Sequence, residues 1–253
     1  MIFKRAVAKL RAQDWAAIAI ELAIVVLGVF IGVQAANWND AMADRSRSTS
    51  YLERIGEDLS ADIENYGDRS RFWVKASEYG AQGIRYAERR DAGTLDQWHL
   101  LLAYFQASQV AEFFTTDITY EELKSAGELG LIDDLDLRKS LALYYTNSGN
   151  PALSERPAYR MHVRGIIPLD LQEYIWSNCY RSDDRGVQQL IDCPSPTDEA
   201  RARQIVDRIA GDEALMAELR YWLSTLRVAR LIGADRIGLA RKMKAKIDAN
   251  LRP

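Results

Sequence analysis

The sequence predicts an all-α protein, with one N-terminal transmembrane helix continuing into an extramembrane helical bundle that has a long C-terminal helix. Three observations carry that expectation. Between Trp15 and Ala36 the only ionisable residue is Glu21, and Gln34 is the only other strongly polar one. Glycine and proline are sparse, 15 and 6 in 253 residues, which disfavours a many-turned all-β fold. Apolar residues recur at three- and four-residue steps through most of the remainder, the spacing of amphipathic helices. With 48% apolar and 27% charged residues, the chain has the composition of a packed, ordered protein.

Charge narrows the partners. The net charge is −3, so there is no global basic field for nucleic acid, and no nucleic-acid partner is expected. The distribution is uneven. Lys4, Arg5, Lys9 and Arg11 outnumber Asp14 and Glu21 in residues 1–39, a net of +2, which leaves −5 for the rest.

Residues 1–14 read as a basic cytoplasmic leader and 15–38 as the transmembrane helix. The 22 residues from Trp15 to Ala36 rise roughly 33 Å as a helix, enough for a hydrocarbon core of about 30 Å. Trp15 and Trp38 bracket the run as interfacial anchors. The basic residues before it and Asp40 and Asp44 after it place the N-terminus in the cytoplasm and residues 40–253 outside, by the positive-inside rule. A cleaved signal peptide is the competing reading, given the basic start and the small residues at Val33-Gln34-Ala35. The long charged leader, Glu21 inside the apolar run and a helical pattern continuing past Asn37 all oppose it.

At 100° per residue, Glu21, Ile24, Val25, Gly28, Gly32 and Ala35 fall within about 60° of one line along this helix. Gly28 and Gly32 form a G-x-x-x-G, the spacing that lets two backbones approach closely in lipid. A carboxylate inside a membrane is costly against lipid and faces protein or water instead. The two rare features share one face, which is therefore the expected helix-packing surface. The plain alternative is a chance G-x-x-x-G with Glu21 close enough to the interface to reach water, at about 9 Å of depth.

Residues 39–66 read as a stalk helix, with Leu52, Ile55, Leu59, Ile63 and Tyr66 on one side, and 67–253 as a helical extracytoplasmic domain. Within that domain a helix is expected from Arg69 to Arg90 and another from Leu95 to Val110. Thr119 and Glu122 have capping-box spacing, Gly127 to Gly130 supply a stop, and Asp133 or Asp134 can cap the next helix, which ends before Gly149-Asn150-Pro151. A helical stretch from Ala152 to Cys179 is broken or kinked near Pro157 and Pro168. Residues 181–197 read as a loop, followed by a helix from Asp198 to Gly211 and a last one from Asp212 to Asn250. The seam of that last helix, from Leu215 through Trp222, Leu226 and Ala240 to Leu251, fits either packing in the bundle or a coiled coil between protomers.

Cys179 and Cys193 flank the loop. Outside the cytoplasm such a pair reads as a disulfide, worth about 3 kcal/mol in the chain-entropy model. A metal pair or two unrelated thiols are the alternatives, and no C-x-x-C or neighbouring histidine supports a metal. His99 and His162, the only histidines, each sit among helix-packing residues and read as structural. No nucleophile elbow, H-E-x-x-H, Walker loop or dinucleotide fingerprint is present, and Asp133 to Asp136 lacks the spacing of a calcium loop. The expectation is no enzyme, no cofactor and no metal. The basic end of the last helix, with Arg236, Arg241, Lys242, Lys244 and Lys246, suits a solvated helix C-terminus better than a headgroup contact.

Two stretches together resemble a bacterial family of single-pass membrane proteins of unknown function. The first is the anchor, which opens with Glu21 and closes on Gln34, Asn37, Trp38 and Asn39. The second is a central motif with Tyr120, Leu123, Gly127, Leu131, Ile132, Leu137, Arg138, Leu141 and Tyr145. They cover about a fifth of the chain, and the C-terminal half, with both cysteines, has no counterpart. The resemblance implies a single-pass membrane protein with a mostly helical body and supplies no activity. The functional expectation is a non-enzymatic inner-membrane protein with a periplasmic body, acting by assembly. It would be a homo-oligomeric scaffold or an accessory subunit of another integral membrane complex, with the lipid bilayer and its own copies as partners. A ligand-sensing helical bundle that signals through a partner is the alternative.

Overall fold

The computed structural model describes residues 15–146 and 156–252, with side chains from residue 19 on. The leader 1–14, the Trp15 side chain and the turn at Gly149-Asn150-Pro151 lie outside the described residues. The fold is all-α. Among the described residues there are eight α-helices: α1 Trp15–Arg89, α2 Gln97–Ala107, α3 Ile118–Ser125, α4 Leu135–Thr146, α5 Ala158–Ile166, α6 Leu169–Asn178, α7 Glu199–Ala210 and α8 Glu213–Asn250. The chain divides into two compact units, Met1–Tyr51 and Leu52–Pro253.

Helix α1 runs 75 residues without interruption, where the sequence suggested a stalk ending near Tyr66 and a new helix from Arg69. The reason is phase. Leu52, Ile55, Leu59, Asp62, Tyr66, Trp73, Ala76 and Tyr79 are all buried, so one stripe keeps its helical phase past Gly67, the step from Tyr66 to Trp73 being about two full turns. No proline interrupts it, and one glycine costs only about 1 kcal/mol in a helix. Asp62, not Ile63, takes the core position at that turn.

In the second unit the stripe packs antiparallel against α8. Gly56 lies beside Ile247, Gly233 lies against Tyr66 and Trp73, and Gly80 faces Leu223. The seam of α8 is thereby consumed within the single chain: Leu215, Leu219, Trp222, Leu226, Ala229, Ala240, Met243 and Ile247 are all buried. Helix α2 is mostly apolar, with Gln97, His99 and Gln106 its strongly polar residues, and nearly every residue of it is buried. Several polar groups on it, and some that reach it, bind at short range, while Gln97 Oε1 is buried with no partner among the described residues. Tyr104 Oη donates to Gly83 O at 2.8 Å, Tyr159 Oη donates to Tyr104 O at 2.9 Å, and Trp222 Nε1 donates to Ala107 O at 2.9 Å. Buried donors without such partners would each cost about 1–3 kcal/mol.

Aspartates cap several of the helices. Asp96, Asp198 and Asp212 accept from the third residue on at the starts of α2, α7 and α8. Asp134, not Asp133, serves α4, accepting from Asp136 N and Leu137 N at 2.9 Å. The capping box does not form: Thr119 is buried inside α3, and Glu122 turns instead to Arg54. Pro157 and Pro168 each stand at the N-terminus of a new helix, so the stretch after residue 155 is two helices.

The expected loop 181–197 contains a short antiparallel ladder, β1 Tyr180–Ser182 with β2 Gln188–Leu190. Its turn is closed by Asp183, which accepts from Arg185 N and Val187 N, with Gly186 at φ +76°. Cys179 and Cys193 are joined by a disulfide, with Cα atoms 5.2 Å apart and both residues buried.

Candidate functional site

The first candidate is the face on α1. Residues Glu21, Ile24, Val25, Gly28, Gly32 and Ala35 all lie in helix, and all are exposed. A Cβ added at Gly28 or Gly32 would meet nothing within 4 Å, so the spacing for close backbone approach is open. The rest of the circumference is equally bare. Leu22, Val29, Phe30, Ile31 and Trp38 are each more than half exposed, and no residue from Ala19 to Arg47 is buried. This is the one helix among the described residues that is long and apolar enough to cross a membrane. A continuous apolar cylinder of this size far exceeds the few hundred Å² of apolar patch that a soluble monomer exposes. The helix therefore brings the six predicted residues into one line, with no other part of the described chain seated on them.

The second candidate lies in the body, where the central motif converges on a carboxylate. Asp62 is fully buried and accepts from Thr116 N at 2.8 Å and from Tyr144 Oη at 2.7 Å. Burial raises its pKa above the ordinary carboxylate value; the bonds from Thr116 and Tyr144 pull the other way, and neighbouring Asp58 adds to the rise. Around it Tyr120 stacks on Tyr145, Tyr144 meets Tyr145 edge-on, and Arg236 lies over the Tyr144 ring. Asp58 accepts from Thr119 N at 3.4 Å, and Arg54 holds Glu122 in a bidentate pair. Leu123, Ile132, Leu137 and Leu141 fill the space beneath, Gly127 takes φ +73°, and Arg138 donates twice to Ile132 O, at 3.2 and 2.9 Å. These contacts fasten residues 116–146 to α1. The chemistry is that of a polar network in a core: both Asp62 oxygens are bonded, the buried Tyr145 hydroxyl has no partner among the described residues, and Asp62 does not line the prominent grooves of the body.

Sequence reasoning passed over Asp62, although it sits three residues after Leu59 and four before Tyr66, on the buried stripe. A carboxylate at a core phase was the available signal. The two histidines stand apart: His99 Nδ1 pairs with Asp96 at 2.7 Å and His162 Nδ1 with Glu218 at 2.9 Å. Among the described residues no three His, Cys, Asp or Glu side chains gather as a metal ion would need.

Open grooves cut the described part of the body, three of them prominent. One of 840 Å³ runs along α8 past Tyr159, Glu218, Tyr221 and Val228, and one of 590 Å³ lies between α4 and α8 beside Leu143, Arg236 and Leu239. The third, of 500 Å³, is lined by arginines. No protein-family model matches the chain, nor does any curated protein or solved structure.

Proposed function

We propose that this chain is a non-enzymatic, single-pass inner-membrane protein of bacterial type that acts by assembly. The helix 15–38 spans the bilayer with the N-terminus in the cytoplasm, and the body lies in the periplasm. The observation that carries the reading is the bare apolar helix with Glu21, Gly28 and Gly32 on one line and exposed among the described residues. Lipid satisfies the apolar circumference, and the glycine face admits a second helix, from another copy or from a larger membrane complex. The disulfide fits an oxidising compartment. The resemblance of the anchor and central motif to single-pass bacterial proteins points the same way.

The test is assembly of the full chain in mild detergent, followed by native gel and analytical ultracentrifugation. Gly28→Ile and Gly32→Ile are expected to shift the protein to smaller species while the far-UV spectrum and melting of the body stay unchanged. Unchanged assembly in both variants would remove the anchor face from the account. A second reading, a ligand-sensing bundle that signals through a partner, is favoured by one observation, the arginine-lined groove.

A further inference from the structure

Several arginines elsewhere on the body pair with carboxylates. Arg54 pairs with Glu122, Arg90 with Asp207, Arg201 with Asp170 and Arg220 with Glu88. A cluster beside the β-hairpin does not. Arg69 on α1, Arg156 just before α5 and Arg160 on its first turn line the 500 Å³ groove, together with Val110, Glu112, Phe114 and Gln188. Among the described residues none of the three forms an ion pair. Asp68, next to Arg69 in sequence, is bound by Arg71.

The hydrogen bonds these arginines do make go to neutral acceptors. Arg69 donates to Gln188 Oε1 at 3.1 Å and to Gly186 O at 3.4 Å, and its Nε is buried with no partner. Arg160 donates to Ser108 O at 2.9 Å and to Gln109 Oε1 at 3.5 Å. One turn on, Arg164 is sandwiched against Phe105 and Trp176, its guanidinium 4.6 and 5.2 Å from the ring centroids, and held by Ser108 Oγ and Gln109 Oε1. Burial, and then the charge of Arg160, push the Arg164 pKa down to about 9, and burial with the charge of Arg156 lowers that of Arg160. Gathering three like charges in a recess where one carboxylate lines the wall and none forms an ion pair with them costs stability, and a fold that keeps them there leaves room for an external anion.

We propose that this groove binds a small soluble oxyanion carrying two negative charges, a phosphate monoester or a dicarboxylate, through Arg69, Arg156 and Arg160. Three guanidinium groups against the single carboxylate of Glu112 leave the lining at +2, which a dianion neutralises. Guanidinium forks match carboxylate and phosphate oxygens in bidentate pairs. Val110 and the exposed Phe114 ring at the lip give an apolar side for the remainder of the ligand. The site stands on this groove alone and is independent of whether the chain assembles through its anchor.

The test titrates inorganic phosphate and succinate into the full chain in neutral detergent, at constant ionic strength held with sodium chloride. Calorimetry and tryptophan-monitored melting are the readouts. A saturable rise in Tm with at least one dianion is expected, as linkage requires of a ligand taken only by the folded state. Arg156, exposed and bound to no described side chain, supplies the clean variant. Arg156→Gln should weaken binding about tenfold or more without lowering the Tm of the unliganded protein. Arg220→Gln, which removes a paired arginine elsewhere, should leave affinity unchanged. A response no greater than that to chloride, equal affinity in the Arg156→Gln variant, or a response confined to phosphatidylglycerol liposomes would each overturn the proposal.

Discussion

The two stretches of helix α1 on either side of Tyr51 share one backbone geometry and differ in everything around it. From Leu52 to Tyr86 one side of the helix is buried, and the backbone is approached so closely that a Cβ on Gly83 would stand 2.6 Å from the Tyr104 ring. From Ala19 to Arg47 nothing is buried, and a Cβ on Gly28 or Gly32 would touch nothing. The sequence encodes that difference in the arrangement of its apolar residues. A stripe on one side implies a partner within the chain; an apolar circumference that the described chain leaves exposed implies an environment outside it. Glycine therefore means opposite things in the two stretches: a contact already made at Gly83, a contact still available at Gly28 and Gly32.

The comparison is broken most severely by removing a side chain on which the second stretch depends. Trp73 is fully buried and its Nε1 donates to Ala111 O at 3.0 Å, so Trp73→Ala should destabilise the body by about 3–5 kcal/mol, measured by chemical denaturation followed by circular dichroism. Gly83→Ala sharpens the contrast at smaller scale. Helix propensity favours the alanine by about 1 kcal/mol, but overpacking a rigid ring costs about 1–3 kcal/mol. Because Tyr104 is also tied to Gly83 O, the ring cannot swing away, and a net fall in Tm is expected. The same measurement on Gly28→Ile should show no change in body stability, its effect being confined to assembly.

A subtler difference comes from Asp62. A carboxyl group whose pKa is raised in the folded state favours folding when protonated, and that contribution is lost as pH rises from 3.8 through the raised value. Asp62→Asn cannot ionise. The stability of the variant relative to the parent should therefore shift in the variant's favour as pH increases across that window. Parallel curves of Tm against pH would show that Asp62 does not titrate in the folded body.

Most of the helices were legible because their signals are local: a stripe of apolar residues, an aspartate before a helix, a proline ending one. Asp198 and Asp212 each sit where a cap is needed, and the structure uses them so. The features missed depend on what lies across the fold. Thr119 and Glu122 have capping-box spacing, but burial of Thr119 and a closer cation at Arg54 decide otherwise. The ladder at Tyr180–Ser182 is three residues long and needs only the Asp183 turn, too short to leave a periodicity. That Glu21, Gly28 and Gly32 share one line was legible from spacing alone, since they lie on one helix. The arginine groove was not, because Arg69 and Arg160 stand 91 positions apart and meet only through tertiary packing.

The disulfide has a further consequence through its setting on α2. Trp98 Nε1 donates to Cys193 O at 2.8 Å and Gln106 Nε2 donates to Cys179 O at 2.7 Å, while Ile191 N also donates to Cys179 O at 3.1 Å. Both half-cystines are thus moored by main-chain bonds that do not involve sulfur. If a reductant opens the link, the two thiols remain neighbours at a high effective concentration, and closure is an intramolecular event. The covalent bond and the mooring protect one another: each keeps the hairpin in place while the other is momentarily broken.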